Sequence, residues 1–322
     1  MDYNNLGRTG LKVSRLGLGC MTFGSPDWAP WVLDASASRP ILEKAVDLGF
    51  NLFDTADMYS NGASEEVLGA VLLPLLPRHR IVLATKLYNP MSDDPNDRGL
   101  SRKHVMGSVD GSLRRLGTDH IDLLQLHRFD YETPLEETLD ALNDVVRAGK
   151  VRYLGASSMF AWQFMKAIGL QRANGWAEFV SMQPHYNLLY REEEREMLPL
   201  CRSEGIGVLP WSPLARGRLA GKRQSVRADT DAVTGKLYDA SRAQDDAIAA
   251  AVERVAAERG VPMAQIAYAW VATRPGITAP LVGISRVELF EDAVASLEID
   301  LAPEEVAALE AAYRPKPVAG HV

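Results

Sequence analysis

One stretch of this chain, residues 49–59 (GFNLFDTADMY), joins a short apolar run to Asp54 and places Tyr59 five residues beyond that acid. Short apolar runs that end at a polar residue are typical of buried strands in a parallel sheet. Taken alone, Asp54 could be an ordinary helix cap and Tyr59 a surface residue. The arrangement becomes informative because later parts of the chain repeat it.

Two further apolar runs end in chemically useful residues. Residues 81–86 (IVLATK) close on Lys86, and residues 121–127 (IDLLQLH) close on His127. The carboxyl ends of parallel strands meet at one face of a barrel, and barrel enzymes carry their active sites there. The sequence therefore predicts that a carboxylate, a phenol, an ammonium and an imidazole come together at that face.

The rest of the chain continues the alternation of strands and helices. In an α/β protein such alternation implies a parallel sheet with helices packed outside it, and eight candidate strands is the number of a (β/α)8 TIM barrel. We predict strands at residues 15–19, 50–54, 81–85, 121–126, 152–156, 179–183, 207–210 and 280–282. We predict helices at residues 36–48, 65–73, 102–116, 135–148, 162–172, 192–203, 243–259 and 262–273.

Two segments depart from this repeat. Residues 6–14 have the pattern of an N-terminal β-hairpin with Gly10 in its turn. Residues 212–241 form a connection so long that it is either functional or disordered, and we place it among long loops at the C-terminal face of the barrel. Because no low-complexity linker interrupts the chain, residues 1–322 are predicted to form a single barrel domain.

Composition narrows the class of protein. The chain has 322 residues, of which 47% are hydrophobic, and a formal net charge of -7, which disfavours a nucleic-acid or anionic-membrane partner. We see no secretory signal and no apolar stretch long enough to span a bilayer. Cys20 and Cys201 lack metal-ligand spacing, and the six histidines form no metal pattern. We therefore expect a soluble cytoplasmic protein without a metal site.

Asp54, Tyr59, Lys86 and His127 resemble the catalytic tetrad of the aldo-keto reductases, carbonyl reductases that use a nicotinamide cofactor. A narrower resemblance is to a bacterial subgroup that includes a 1-deoxyxylulose-5-phosphate-synthase-like aldo-keto reductase. It is carried by residues 16–24 (LGLGCMTFG), 181–188 (SMQPHYNL) and 191–198 (REEEREML). The resemblance implies reversible hydride transfer between the nicotinamide and a small-molecule aldehyde or ketone, or an alcohol in the reverse direction.

The four residue types suit this chemistry, which needs a hydride at carbon and a proton at oxygen. Tyr59 can supply the proton, but a phenol with an ordinary pKa of about 10 needs help at neutral pH. Lys86 beside the phenol favours phenolate, and Asp54 can keep that lysine charged and oriented. In the resemblance Tyr59 is the proton donor, and His127 directs the substrate carbonyl and donates to the developing oxyanion.

The early GLG run at residues 17–19 lacks the third glycine and the downstream acid of a Rossmann fingerprint. The resemblance instead lays the cofactor across the barrel mouth. It implies hydrogen bonds from Ser157, Ser158 and Gln183 to the nicotinamide carboxamide, and stacking of Trp211 on the ring. The loop over the pyrophosphate would contain Ser212, Pro213, Leu214, Arg216, Gly217 and Lys222.

The adenine end of the expected cofactor site matches the family less well. Gly283, Ser285 and Arg286 are similar to the family's segment for the 2′-phosphate, and a planar guanidinium suits a phosphate. Farther along, many relatives carry a Gln where this chain has Leu289. They carry a Glu-Asn pair where this chain has Asp292 and Ala293. Asp292 could still accept a hydrogen bond from adenine. The resemblance therefore implies NADP(H), with NAD(H) as the alternative.

Loops after the predicted strands supply candidates for the substrate pocket. They are Trp28, Trp31, Tyr88, Arg128 and Phe129. An aromatic rim favours flat or cyclic carbonyls, whereas Arg128 would attract a sugar phosphate; each aromatic residue could equally be a surface residue covering the rim. This fold also serves as a nicotinamide-binding regulatory subunit or sensor, so fold does not decide the function. The complete tetrad favours the enzyme, and the sequence sets no oligomeric state.

Overall fold

The centre of the protein is a sheet of eight parallel strands, in a computed structural model that describes residues 1–221 and 230–321. The strands are β3 (Gly17–Gly19), β4 (Leu52–Asp54), β5 (Val82–Leu87), β6 (Ile121–Leu126), β7 (Val151–Ser157), β8 (Phe179–Gln183), β9 (Gly207–Val208) and β10 (Leu281–Gly283), in the spatial order β10-β3-β4-β5-β6-β7-β8-β9. The amide N–H groups of Thr278 and Leu281 donate to the carbonyls of Val208 and Pro210 across the gap between β9 and β10. The sheet therefore curls round on itself as the predicted (β/α)8 barrel.

Helices pack outside this sheet. They are α1 (Ala35–Asp47), α2 (Ala63–Val67), α3 (Arg102–Leu116), α4 (Leu135–Arg147), α5 (Ala161–Asn174), α6 (Met197–Glu204), α7 (Ala232–Tyr238), α8 (Arg242–Arg259), α9 (Met263–Ala272), α10 (Leu289–Ala295) and α11 (Pro303–Glu310). Local signals set their ends: Asp34 and Ser101 cap α1 and α3, and a left-handed glycine follows α3, α5, α6 and α8. Within the described ranges, no helix is long and apolar enough to cross a membrane.

An N-terminal hairpin closes the bottom of the barrel, but its arms are shifted from those predicted. β1 (Tyr3–Asn5) pairs antiparallel with β2 (Lys12–Ser14), so the first arm precedes Leu6. The connection needs its left-handed glycine at Gly7, with φ 57°, and not at Gly10. A Cβ atom on Gly7 would lie 2.5 Å from the carbonyl oxygen of Gly205, so close docking on the barrel requires a glycine there.

Three predicted segments have a different local structure. The helix expected over residues 65–73 is α2, which ends at Val67, followed by a π-helix (Leu68–Leu72). The helix expected over residues 192–203 is a 3₁₀ turn (Glu192–Glu194) followed by α6, because Glu192 accepts hydrogen bonds from the Tyr313 hydroxyl and the Lys316 amide of the C-terminal segment. The long connection after β9 holds a 3₁₀ turn (Ala215–Ala220) and α7 in its described part. Lys222, the expected phosphate partner, lies outside the described residues.

Alternation along the strands decides which side chains face the barrel interior. Leu52, Ala84 and Leu123 pack with the hairpin residues Leu6 and Val13 in a buried apolar cluster at the bottom of the barrel. Two residues farther along the same strands come Asp54, Lys86 and Gln125, which point to the same side. The interior is therefore apolar near the hairpin and polar at the carboxyl ends of the strands.

Candidate active site

Lys86 joins the carboxylate and the phenol predicted to act with it. Its Nζ atom lies 2.6 Å from Asp54 Oδ2, 2.7 Å from the carbonyl oxygen of Thr55 and 3.3 Å from Tyr59 Oη. An ammonium has three protons to donate, and these contacts engage all of them. Burial lowers the pKa of Lys86, but the charges of Asp54 and Tyr59 and their hydrogen bonds outweigh it, so the pKa is raised overall. The lysine is therefore a buried cation aimed at the phenol.

Two glutamine side chains hold the other oxygen of Asp54. Nε2 of Gln125 lies 2.8 Å and Nε2 of Gln183 lies 2.9 Å from Asp54 Oδ1, and Gln183 also donates to Oε1 of Gln125 at 3.0 Å. The carboxylate is therefore bonded on both oxygens. Gln125 is a residue of this candidate site that sequence reasoning missed. Its signal was a polar side chain between the apolar Leu124 and Leu126, on the same face as Leu123.

The loop that carries Tyr59 is unusually tight. Ser60, Asn61 and Gly62 have φ angles of 50°, 54° and 96°, a left-handed run that is costly for residues other than glycine. Gly24 approaches this loop so closely that a Cβ atom on it would lie 2.3 Å from Ser60 Oγ. The turn therefore fixes the phenol at the mouth of the barrel.

His127 completes the predicted tetrad. Its ring lies edge-on to Tyr59, with centroids 5.8 Å apart and planes at 81°. Burial, with the nearby charges of Lys86 and Arg128, lowers the pKa of His127 well below its usual range. The imidazole is therefore neutral at physiological pH, and its Nδ1 atom lies 3.1 Å from Nδ2 of Asn89. Asn89 is a second residue missed from the sequence, where it is one polar residue among many in a loop.

A cavity of about 1400 Å³ opens above these four residues. Its lining includes Asp54, Tyr59 and His127 together with Arg286 and Asp292. A cleft of this kind, with convergent polar groups and shifted pKa values, is the usual setting of a small-molecule site. Within the described residues, no cluster of three or more His, Cys, Asp or Glu side chains suits a metal ion.

The expected nicotinamide ligands have two different positions. Ser157 and Gln183 line the cavity, with Ser157 Oγ donating to the backbone carbonyl of Gln183 at 2.7 Å. Ser158 is buried and is not among the described residues that line it. It instead accepts the indole N–H of Trp211 at 3.1 Å, because its backbone is in the left-handed region, with φ 45°. Trp211 itself lines the cavity.

The loop expected over the pyrophosphate also lines the cavity. Its lining residues are Ser212, Pro213, Leu214, Arg216 and Gly217. Ser212, Ala215 and Arg216 have positive φ angles between 48° and 56°, which turns this short stretch sharply. The guanidinium of Arg216 forms an ion pair with Asp231 at the start of α7, and both side chains are largely buried. The predicted phosphate ligand is thus already tied to the next helix.

The adenine side is more open. Gly283, Ser285, Leu289 and Asp292 line the cavity together with Arg286, whose side chain is exposed and makes no ion pair in the described part of the chain. Asp292 Oδ1 accepts a hydrogen bond of 3.0 Å from Nε2 of Gln265 on α9. Arg286 therefore remains available for an anion, while Asp292 is partly engaged.

Three of the five predicted pocket residues line the cavity. Trp28 and Trp31 do so as an edge-to-face pair with centroids 5.7 Å apart, and Arg128 donates to the carbonyl of His127 at 2.6 Å. Tyr88 and Phe129 do not belong to the described lining. Phe129 packs on Tyr131 and Trp162 away from the mouth. Tyr88 has a φ of 148°, so the chain turns there and Asn89 takes the position facing the cavity.

The C-terminal segment contributes a wall that no sequence pattern indicated. Val318, Ala319 and Gly320 line the cavity, and a Cβ atom on Gly320 would lie 3.4 Å from the Trp211 ring. The amide of Ala319 donates to the hydroxyl of Tyr190 at 3.0 Å. His321 is buried against Glu193, with Nε2 and Oε1 3.1 Å apart. These contacts hold the segment across the barrel mouth.

Comparison with known proteins adds the family. The model of the aldo/keto reductase family matches residues 15–314. The chain belongs to the aldo/keto reductase family. Membership supports an oxidoreductase that acts on carbonyl or alcohol groups, and aldo/keto reductases generally use NADP(H).

Similar proteins span nearly the whole chain. Versiconal hemiacetal acetate reductase of Aspergillus parasiticus is 46% identical over 340 residues, covering 99% of this chain and 98% of that protein. Putative aryl-alcohol dehydrogenases of Schizosaccharomyces pombe and Saccharomyces cerevisiae are 42% and 41% identical, covering 99% and 97% of this chain and 98% and 96% of their own lengths. These three relatives are fungal, so the narrower resemblance to a bacterial subgroup stays a prediction.

Proposed function

We propose that this aldo/keto reductase is an NADP(H)-dependent carbonyl reductase, reversible toward alcohol oxidation, with Tyr59 as the proton donor. The observation that carries the proposal is the buried Lys86, whose Nζ atom joins Asp54 to the phenol of Tyr59 beside the cavity. When bound, NADPH supplies a hydride to the substrate carbon.

In the direction of reduction, the Tyr59 hydroxyl delivers its proton to the substrate oxygen. The phenolate left behind is stabilised by the Lys86 ammonium, which is 3.3 Å from the hydroxyl oxygen. Asp54 keeps the ammonium in place, and Gln125 and Gln183 keep Asp54 in place. His127, neutral and edge-on to Tyr59, donates a hydrogen bond to the same substrate oxygen as negative charge develops.

The residues along the cavity suit a nicotinamide dinucleotide. Trp211 offers an aromatic face, and the residues from Ser212 to Gly217 offer backbone amides together with the guanidinium of Arg216, which is paired with Asp231. Arg286 offers an exposed guanidinium that makes no ion pair in the described chain. Backbone amides and cations gathered along one path are what phosphates require. We propose that Arg286 contacts the 2′-phosphate and gives NADPH its preference over NADH.

For the substrate we propose aromatic aldehydes or cyclic ketones. The Trp28 and Trp31 pair and Met58 supply apolar lining next to Tyr59. Two relatives are named putative aryl-alcohol dehydrogenases, which agrees with this class. Apolar walls with a few polar groups are common in sites that take flat ligands.

One observation favours a sugar phosphate as a second candidate. Arg128 lines the cavity beside His127, and its guanidinium is bonded to a backbone carbonyl but to no carboxylate of the described chain. A partly buried guanidinium without a counter-ion attracts an anionic group.

The test of the proposed function is a panel of aromatic aldehydes, cyclic ketones and phosphorylated ketoses, followed by NADPH absorbance. We expect turnover with the aromatic compounds. Binding of NADPH without oxidation by any member of the panel would contradict the enzymatic proposal.

A further inference from the structure

Asn89 reaches the imidazole of His127 through an unusual turn. Strand β5 ends at Leu87, and the next residue, Tyr88, has a φ of 148°, a conformation that side chains other than glycine rarely adopt. The Tyr88 carbonyl accepts the amide of Gly99 at 2.7 Å, which holds this turn. As a result the side chain of Asn89 lines the cavity, with Nδ2 3.1 Å from Nδ1 of His127. Strained backbone of this kind is concentrated at functional sites.

The contact defines where the imidazole carries its proton. An amide nitrogen only donates, so Nδ1 of His127 must accept. Because burial and the charges of Lys86 and Arg128 lower the pKa of His127, the ring is neutral and has one proton. That proton is then on Nε2.

We propose that Asn89 is a positioning residue that holds His127 in the tautomer with Nε2 protonated, so that His127 can donate to the substrate carbonyl oxygen. The role of Asn89 in turnover rests on the proposed function, whereas the assignment of the tautomer rests only on the contact between Asn89 and His127.

Within the described residues, no charged group that faces His127 selects this tautomer. The ionisable groups facing the ring are Tyr59 on the loop after β4, Lys86 on β5 and Arg128 after β6. The nearest carboxylate of the tetrad, Asp54, is already bonded to Lys86, Gln125 and Gln183. Without the amide of Asn89, either ring nitrogen could carry the proton, and the wrong tautomer would present a lone pair to the carbonyl oxygen.

Asn89→Asp reverses the contact at almost constant volume, because a carboxylate only accepts and therefore requires a proton on Nδ1. At about pH 8 we expect kcat to fall roughly 100-fold, the typical loss of one oxyanion donor. The carboxylate also raises the pKa of His127, so activity should recover as the pH falls and the ring becomes doubly protonated. Wild type should show no such recovery. Asn96→Asp, an exposed position in the same loop, is the matched control and should behave as wild type.

The tautomer is read directly from the ¹⁵N NMR shifts of histidine-labelled protein, with His127→Gln to assign the signal. We expect wild type to show a protonated Nε2 and Asn89→Asp to lose that signature. A wild-type ring protonated on Nδ1, or a wild-type pH profile in Asn89→Asp, would overturn the inference even if the enzyme reduces carbonyls. A protonated Nε2 in a protein that reduces no carbonyl would instead uphold the role of Asn89 and contradict the proposed function.

Discussion

The indole of Trp211 lies parallel to the imidazole of His185, with centroids 4.1 Å apart and planes within 10°. The other face of His185 stacks on Tyr190 at 4.4 Å. Nε2 of His185 lies 2.8 Å from the hydroxyl of Tyr238, the last residue of α7. The Trp211 ring is thus backed by two further rings and connected to the helix that follows the expected pyrophosphate loop.

Because His185 supports Trp211, we expect His185 to strengthen cofactor binding although it does not touch the cofactor. Stacked aromatic pairs contribute about 0.5–1.5 kcal/mol, so His185→Ala should weaken NADPH by roughly 2- to 10-fold. His185→Phe keeps a ring behind Trp211 and should retain most of the affinity. The dissociation constant can be measured from quenching of tryptophan fluorescence, with the exposed His79→Ala as the control. Unchanged NADPH binding in His185→Ala would show that the stack does not support Trp211.

Tyr59→Phe removes the proposed proton donor and little else. Because general acid catalysis contributes roughly 100- to 10,000-fold, we expect kcat to fall by that factor while the NADPH dissociation constant stays near that of wild type. The exposed Tyr131→Phe serves as the control for loss of a phenol hydroxyl. A Tyr59→Phe variant that keeps half its activity would rule out this role.

Arg286→Ala should reduce the preference for NADPH. Hydrogen bonds to charged groups contribute about 1.5–3 kcal/mol, so the dissociation constant for NADPH should rise roughly 10- to 100-fold and that for NADH much less. The exposed Arg98→Ala removes the same charge away from the cavity lining. Equal losses for the two cofactors would mean that Arg286 does not touch the 2′-phosphate.

Arg128 separates the two proposed substrate classes. We expect kcat/KM for an aromatic aldehyde to exceed that for a phosphorylated ketose, and the order to be kept in Arg128→Gln, because the tryptophan walls and not the guanidinium hold the substrate. Arg98→Gln is the control for the lost charge. If the phosphorylated ketose is the better wild-type substrate and loses its advantage in Arg128→Gln, the proposal of an aromatic substrate is wrong.

We expect the stability of the folded protein to depend on pH because of the buried Asp57. Burial, and then the charge of Glu65, raise the pKa of Asp57 to about 7, although Ser108 Oγ donates to its Oδ2 at 2.9 Å. The folded protein therefore binds this proton more tightly than the unfolded chain does, and the bound proton stabilises the fold. This stabilisation is complete below about pH 4, where the unfolded chain is also protonated, and is lost as the pH rises to about 7.

Asp57→Asn keeps an acceptor for Ser108 and removes the buried charge. We expect the variant to lose less free energy of unfolding than wild type between about pH 5 and pH 8, by a few kcal/mol. Urea denaturation at the two pH values measures the difference, with the exposed Asp93→Asn as the control. Parallel pH dependence in Asp57→Asn and wild type would show that Asp57 does not titrate in this range.

The meeting of Asp54, Lys86 and His127 could be predicted because it depends on strand order and alternation. Each residue closes an apolar run, and parallel neighbours bring the ends of such runs to one face. The order of residue types along the chain therefore carries the information. The same reasoning located Trp28, Trp31 and Arg128 on loops that do line the cavity.

Side-chain direction within loops could not be predicted in the same way. Ser158 was expected in the cavity but supports Trp211, and the C-terminal residues Val318 to Gly320 form a wall although they are far from the tetrad in sequence. Such positions depend on contacts between distant segments, as with the hydroxyl of Tyr190 and the amide of Ala319. Loops lack the two-residue period from which the direction of side chains in strands can be predicted.

By itself, the sequence determined the barrel, the order of its strands and the four reactive groups at their ends, because apolar period and strand length are local properties of the chain. Only the tertiary structure decided that two glutamines share the Asp54 carboxylate and that Asn89, not Tyr88, faces the cavity. The physical reason why Asn89 faces the cavity is a single backbone angle, the φ of Tyr88. The φ of Tyr88 is maintained by the hydrogen bond from Gly99, eleven residues farther along the chain.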